Sequence, residues 1–372
     1  MSEGVREPEG VEAPAEASPG DATRPRYAIH VILFLTTLVT TTISIGLWSG
    51  LGWVASRLGP DLEKALEEGG SIWTLMWEGF NDGSLPFARF CEAVLVDGGM
   101  YSSTLLTILL AHEMGHYVLG RIHKVDVSLP YFIPAPPLVS FGTFGAFIRL
   151  REPVTDRRAL MDIGAAGPLA GLVLAIPAIA LGLSLSEVRP LEPGGLYEGN
   201  SLLYLGLKWA VLGDIPPGSD VFLHPIAFAG WVGLLVTALN LFPVGQLDGG
   251  HIMYALLGER SAGVNRAVFG SLLGLGIGLF LFKGQATWAV WIVLLLLIGI
   301  EHPPMSDMAV PLDRARRWIG WLCVAVFIVT FTPIPLSDEP PGGVPEQAGE
   351  ANPAEGVAPP VGEEARGADT LP

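Results

Sequence analysis

The segment TLLTILLAHEMGHYVLGRI, residues 104–122, places two histidines and a glutamate inside an apolar run of membrane-spanning length. About 20 such residues cross the roughly 30 Å of hydrocarbon in a bilayer, because a helix rises about 1.5 Å per residue. An ionised side chain near the centre of such a run costs about 2.5 kcal/mol or more. Ionisable residues at this depth therefore indicate function more often than packing.

The composition of the whole chain is typical of a membrane protein. Of its 372 residues, 50% are hydrophobic and only 16% are charged, and the mean hydropathy is +0.48. A soluble domain has about 25% charged residues. The long apolar runs are residues 28–49, 101–121, 161–184, 222–244, 266–283, 286–301 and 317–335. We therefore predict an all-α polytopic membrane protein with about six to eight transmembrane helices.

The two ends of the chain differ from this interior. Residues 1–26 carry a formal charge of −3 and residues 337–372 carry −7, out of −16 for the whole chain. Both ends are rich in Pro, Gly, Ala and Glu, so they bury too little apolar surface to offset the entropy of folding. We expect two disordered acidic tails, 1–26 and 337–372, around a membrane domain at 27–336.

The distribution of charge and cysteine excludes several classes of protein. No basic stripe is present to neutralise phosphates, so nucleic-acid binding is excluded. Cys91 and Cys323 lie on separate segments and predict neither a disulfide scaffold nor a cysteine-based metal site. The clusters of Arg and Lys beside the apolar runs fall on one side of the membrane if the N-terminus is cytoplasmic.

Two apolar stretches cannot be continuous helices. Residues 130–150 contain four prolines and two glycines, and we predict an extended or hairpin segment at 138–150 that dips into the membrane beside the helices. In NLFPVGQLDGGH, residues 240–251, Pro243 and three glycines break an otherwise apolar helix. A break at membrane depth needs a functional reason.

The HEMGH motif at 112–116 has the spacing of a zinc site. Residues four apart lie on one helical face, so His112 and His116 can ligate one metal ion. Glu113 lies about 100° further around the helix, within reach of a water molecule at the metal without being a ligand. Two histidines with one carboxylate and an open position suit zinc best among the available metals.

A third protein ligand must come from another segment. Asp248 follows the break at Pro243 and matches the HEMGH pair in depth and side, so it is the favoured ligand. Asp162 is the competitor, but its place at the start of an apolar run suits a helix cap instead. His251 is a further alternative ligand. Asn240 can donate to a developing oxyanion or hold a substrate strand, and an interhelical hydrogen bond is nearly as good an interpretation.

Three motifs, in this order, resemble the site-2 protease family of intramembrane zinc metalloproteases. They are HEMGH at 112–116, AAGPLAG at 165–171 and NLFPVGQLDGGH at 240–251, and the resemblance covers roughly residues 100–260. FGTFGAFIRLREP, residues 141–153, is similar to the membrane-dipping β-region of the family. The spans after residue 260, including EHPP at 301–304, are similar to those of bacterial members that lack a PDZ domain. Loop 185–221 is too short to contain an inserted PDZ domain.

The resemblance implies an intramembrane endopeptidase with one zinc ion per chain. His112, His116 and Asp248 would be the zinc ligands, Glu113 the general base, and Asn240 a residue that handles substrate. Single-span membrane proteins would be the substrates, the lipid bilayer the surroundings, and the bacterial cytoplasmic membrane the location, with the active site toward the cytoplasm.

Two other functions compete with this one. Broken helices and ionisable residues near the midplane are also features of transporters and channels with a metal-binding pathway. A non-catalytic scaffold that binds membrane proteins is the other alternative, although all four chemical positions are intact. A transporter would leave Glu113 beside the histidine pair unexplained.

Overall fold

A computed structural model of the chain describes residues 27–137, 140–191, 197–303 and 310–337. Its helices are α1 (Tyr27–Leu58), α2 (Pro60–Glu67), α3 (Ile72–Asp82), α4 (Phe87–Ile122), α5 (Arg157–Ser184), α6 (Leu202–Leu212), α7 (Pro225–Asn240), α8 (Asp248–Leu257), α9 (Ser261–Lys283), α10 (Thr287–Ile298) and α11 (Arg314–Thr330). The tail predicted at 1–26, and that at 337–372 apart from Ser337, lie outside the described residues.

The strands are short and form three antiparallel pairs. They are β1 (Tyr131–Pro134), β2 (Thr143–Phe147), β3 (Glu187–Pro190), β4 (Tyr197–Glu198), β5 (Ser219–Phe222) and β6 (Leu336–Ser337). Strand β1 pairs with β2, β3 with β5, and β4 with β6. Ser337, the first residue of the predicted C-terminal tail, pairs with Tyr197. The described part of the predicted loop 185–221 contains β3, β4, α6 and the first three residues of β5.

Among the described residues, four helical segments are long and apolar enough to cross a membrane: Tyr27–Leu58, Phe87–Ile122, Arg157–Ser184 and the combined Asp248–Lys283. Shorter apolar helices are Leu202–Leu212, Pro225–Asn240 and Thr287–Leu297. The prediction of a helical polytopic membrane protein is confirmed. Because the remaining apolar helices are shorter than a bilayer requires, the count of six to eight crossings stays a prediction.

Helix α4 lies at the centre of the bundle and packs against α1, α5 and α7. Helices α4, α5 and α7 share one buried core, against which apolar side chains of α1 pack; the core includes Leu105, Leu109, Ile179, Leu183, Trp231 and Leu234. Large apolar side chains on the outer helices are instead exposed, among them Ile32, Phe282, Leu297 and Ile328. This arrangement is typical of a bundle whose outer surface contacts lipid, because exposed apolar area is tolerated there.

The break in NLFPVGQLDGGH separates two helices. Helix α7 ends at Asn240, and α8 begins at Asp248 and continues through a short 3₁₀ turn into α9. Pro243 has no N–H to extend a helix, and Gly245 has φ +60°, a left-handed value that suits glycine. Asp248 therefore lies at the first turn of a new helix rather than within the fourth apolar run.

The extended segment predicted near 138–150 is a β-hairpin that begins earlier than expected. Strand β1 lies at Tyr131–Pro134, before the predicted segment, and β2 lies within it. Phe132 pairs with Ala146 and Tyr131 with Phe147. Leu138 and Val139 of the predicted segment lie outside the described residues. The earlier start follows from pairing, because an isolated extended strand has no partner for its main-chain groups.

The polar face of α1 binds the loop between these two strands. Thr40 donates to the carbonyl oxygen of Gly142 at 2.7 Å. Ser44 donates to the carbonyl oxygens of Pro137 and Ser140 at 2.9 and 2.7 Å. Non-helical backbone is tolerated at membrane depth only where protein or water satisfies its hydrogen bonds. The hydroxyl groups of α1 supply this in place of water.

Replacing Ser44 by Ala is expected to loosen this loop. Two carbonyl oxygens, those of Pro137 and Ser140, would lose their donor, which costs about 1–3 kcal/mol for a buried polar group. The measurement is thermal unfolding in detergent together with protease nicking within 135–142. Thr36→Ala is the control, because the Thr36 hydroxyl donates within its own helix, to the carbonyl oxygen of Ile32. Equal nicking in both variants would contradict this account.

Candidate metal centre

Helix α4 brings His112, Glu113 and His116 into the interior of the bundle. Their exposed fractions are only 3%, 5% and 7%. The two histidines lie one helical turn apart, and their Nε2 atoms are 3.1 Å from each other. The HEMGH spacing therefore places both imidazoles on one face of the helix, as the sequence predicts.

Asp248 approaches this pair from the start of α8. Its Oδ2 atom lies 3.3 Å from the Nε2 atom of His112 and 3.3 Å from that of His116. The turn that carries Asp248 is tight, because a Cβ added at Gly249 would lie 2.0 Å from the carbonyl oxygen of Leu241. Glycine after Asp248 thus allows the chain to fold back on itself at the site.

The three atoms form a triangle that fits a tetrahedral metal ion. With zinc–ligand bonds of about 2.0–2.1 Å, tetrahedral geometry places ligand atoms about 3.3–3.4 Å apart. The observed separations are 3.1, 3.3 and 3.3 Å. Among the described residues, His112, His116 and Asp248 form a group able to hold a metal ion. One tetrahedral position is left for a non-protein ligand.

A backbone carbonyl orients the ring of His116 within this group. Its Nδ1 atom lies 2.7 Å from the carbonyl oxygen of Ile163 on α5, so Nδ1 carries the proton and donates it. In the neutral ring Nε2 then presents a lone pair toward the carboxylate of Asp248. A lone pair in this position can ligate a metal ion, and the Ile163 carbonyl orients the ring as outer partners of metal-bound histidines do.

Glu113 is buried beside this group without being part of it. The backbone of Ile148, the residue after strand β2, lies close enough to its carboxylate to interact with it. A carboxylate next to a metal centre, but not ligating it, is placed to accept a proton from water. The contact with Ile148 could not be derived from the sequence, since it depends on the path of the hairpin.

Asn240 lies at the edge of the ligand triangle. It is the last residue of α7, and its Nδ2 atom is 3.3 Å from the Nε2 atom of His112. The structure therefore brings Asn240 to the site, as expected. Its amide is therefore close enough to the ligand group to contact a molecule bound there.

The two alternative ligands bind elsewhere. Asp162 forms a two-pronged ion pair with Arg316, with contacts of 2.8 and 2.7 Å, and also contacts His123 at 2.8 Å. The interpretation of Asp162 as a helix cap is wrong. Helix α5 begins at Arg157, and the capping side chain is that of Asp156. The start was missed because charged residues precede the apolar run.

His251 is engaged with another histidine. Its Nδ1 atom lies 2.8 Å from the Nε2 atom of His302, and it does not belong to the group formed by His112, His116 and Asp248. His302 follows α10, and from its place after an apolar run the sequence predicts only a solvated or interfacial histidine. The signal that could have pointed to it is the polar EHPP motif after an apolar run.

Glycines allow α4 and α5 to approach closely at the site. A Cβ added at Gly115 would lie 2.4 Å from the carbonyl oxygen of Ala166, and one at Gly167 would lie 2.0 Å from Nε2 of His116. AAGPLAG on α5 therefore packs directly against the HEMGH helix. The glycine of HEMGH, Gly115, is thus required by this close approach of the two helices.

Gly167→Ala should displace the His116 ring and weaken zinc binding at least about tenfold, a loss typical of disturbed ligand positioning. Competition with a chromophoric chelator, on the detergent-purified chain, measures the affinity. Gly99→Ala is the matched control on α4, because no atom lies within 4 Å of its added Cβ. Native affinity in a folded Gly167→Ala protein would show that this close contact does not position the ligand.

Comparisons with known proteins agree with this geometry. The model of peptidase family M50 matches residues 100–282, which include every residue of the site. "Probable zinc metalloprotease EGY1, chloroplastic" of Arabidopsis thaliana is 31% identical over 336 residues, covering 87% of this chain and 56% of the relative. EGY1 of Oryza sativa subsp. japonica is 32% identical over 339 residues, covering 87% and 53%.

A third relative, "Probable zinc metalloprotease EGY2, chloroplastic" of Arabidopsis thaliana, is 29% identical over 257 residues, covering 67% of this chain and 44% of the relative. The chain thus spans about half the length of the curated relatives it matches. The matched segment and these relatives together show that the chain belongs to peptidase family M50, the family of the site-2 proteases.

Proposed function

We propose that this protein is an intramembrane zinc endopeptidase that cleaves transmembrane segments of membrane-anchored proteins. The observation that carries the proposal is the triangle of His112, His116 and Asp248 with Glu113 buried beside it. The relatives are named zinc metalloproteases, which supports zinc as the metal, one ion per chain.

The residues of the site have separate tasks in peptide hydrolysis. When bound, zinc supplies Lewis acidity toward a water molecule and a peptide carbonyl. Glu113 accepts the proton of the attacking water and later delivers it to the leaving amine. Asn240, 3.3 Å from His112, donates from its amide to the substrate carbonyl as negative charge develops there.

A transmembrane substrate must unwind before hydrolysis, because its carbonyl groups are hydrogen-bonded within a helix. We propose that the outer edge of β2 holds the unwound strand through main-chain hydrogen bonds. Strand β1 covers one edge of β2, and the backbone after β2 reaches Glu113 at Ile148. Strand alternation places the main-chain groups of Ala146 on the same outer edge as those of Ile148.

The surroundings follow from the fold and the distribution of charge. The protein is an integral membrane protein, and we propose that its N-terminus and site face the cytoplasm, on the side of the basic clusters. The relatives named above are called chloroplastic, which is a statement about those proteins. The bacterial cytoplasmic membrane, the bacterial type without a PDZ domain and single-span substrates stay predictions.

A transporter, a channel or a scaffold would bind a metal ion at this group but would not hydrolyse a peptide bond there. None of these functions requires a buried carboxylate next to the ligands but outside the ligand set. The position of Glu113 therefore favours hydrolysis, and substitution of this residue discriminates between the alternatives.

Glu113→Gln should abolish cleavage while retaining the metal, because the amide cannot accept the proton from water. A loss of about 10²–10⁴-fold is typical for a general base. Asp248→Ala should lose both metal and cleavage. The experiment co-expresses single-span membrane proteins with each variant and measures product together with the zinc content of the purified chain.

The control for this experiment is Glu92→Gln, an exposed carboxylate on the same helix that pairs with Arg89. It should cleave like the native chain. Product formation by Glu113→Gln at the native rate would reject hydrolysis by this site and favour a transporter, channel or scaffold.

Ala146→Pro should slow cleavage about two- to tenfold without unfolding the hairpin. Proline removes one N–H from the outer edge of β2, and one hydrogen bond contributes about 0.5–1.5 kcal/mol. The measurements are cleavage rate and thermal stability in detergent. Phe147→Pro is the comparison, since loss of the N–H facing β1 should instead destabilise the hairpin. Unchanged cleavage by a folded Ala146→Pro enzyme would reject this substrate edge.

A further inference from the structure

A short segment after α10, residues 299–303 and called the strap below, packs on the turn that carries Asp248. The carbonyl oxygen of Ile300 accepts a hydrogen bond from the backbone N–H of Gly245 at 2.8 Å. It also accepts one from Nδ2 of Asn265 on α9 at 3.3 Å. Ile300 therefore links the turn between α7 and α8 to helix α9.

The strap also binds the other side of this turn. His302 contacts the Nδ1 atom of His251 at 2.8 Å through its own Nε2 atom. The His302 ring stacks on Tyr254, with ring centroids 4.3 Å apart and an angle of 16° between the planes. Gly245 and His251 lie three residues before and three residues after Asp248, so the strap holds the chain on both sides of this residue.

The hydrogen-bond pattern fixes the direction of the histidine contact. Nδ1 of His302 lies 2.6 Å from the carbonyl oxygen of Pro303, so this nitrogen carries the proton and donates it. Nε2 of the neutral ring then accepts the proton of His251 Nδ1. In this contact Nδ1 of His251 is therefore the donor and Nε2 of His302 the acceptor. A side chain without an acceptor at position 302 would leave the N–H of His251 without this partner.

We infer that the strap is a positioning element for the metal centre, with His302 as its positioning residue. The inference rests on the proposed zinc site. Asp248 is a ligand from a different helix than the two histidines, and its backbone lies in a turn between two helices. The metal geometry therefore depends on where this turn is held, and the hydrogen bonds at Gly245 and His251 hold it. The strap lies beyond residues 100–282, which the family model matches.

Two substitutions separate the hydrogen bond from the ring contact. His302→Phe keeps a ring over Tyr254 but removes the acceptor for His251, whereas His302→Gln keeps an acceptor and removes the ring. The full chain, purified in detergent, is titrated with zinc against a chromophoric chelator. Cobalt is then substituted, because its visible spectrum reports the coordination geometry directly.

We expect His302→Phe to bind zinc about tenfold more weakly than the native chain and to change the cobalt spectrum. His302→Gln should stay within about threefold of the native affinity. His224→Phe is the control for loss of a partly buried histidine. The imidazole of His224 caps the first turn of α7, at the opposite end from Asn240. This variant should be less stable and still bind zinc with native affinity.

Native zinc affinity and a native cobalt spectrum in His302→Phe would overturn the role of the strap and leave the metal centre intact. Equal weakening in His302→Gln and His302→Phe would overturn the hydrogen bond to His251 as the positioning contact. Failure of the native chain to bind zinc would overturn the metal centre and this inference together.

Discussion

The structure depends on one constraint: inside the bundle little water is available to satisfy polar groups, so most of them must find a partner in the protein. Helices meet this demand for most of the backbone. Where the chain leaves helical geometry, side chains meet it instead, as Thr40 and Ser44 do for the loop between β1 and β2. The metal centre obeys the same rule, because two imidazoles and a carboxylate converge on one point that a cation would satisfy.

This constraint explains why the site is assembled from several elements that approach closely. Ligands from different helices can meet only if the helix backbones lie closer together than large side chains would permit. Gly115 has no side chain to keep α4 away from Ala166, so α4 and α5 can approach to this distance. The same contact brings the Ile163 carbonyl to His116, which fixes the tautomer of the ligand. Packing and chemistry are thus set by the same small residues.

The sequence predicts the parts of the site that depend on local spacing and on the chemistry of residue types. His112 and His116 follow from helical periodicity, and Asp248 follows from the demand for a third ligand at equal depth. Contacts set by tertiary packing could not be predicted in this way. The pairing of β1 with β2, the ion pair of Asp162 with Arg316, and the contact of His251 with His302 each join segments whose distance in sequence carries no periodic signal.

Among the described strands β2 pairs with β1 alone, and its other edge suits the binding of an unwound peptide. An unpaired strand edge exposes hydrogen-bonding groups and is normally a liability. At membrane depth the cost is larger, since each unsatisfied group costs several kcal/mol. A helix of another protein that unwinds beside β2 has the same deficit, and pairing of the two strands removes both. In the proposed function this edge stabilises the unwound state of a substrate, and the closeness of Ile148 to Glu113 would bring that state next to the proposed general base.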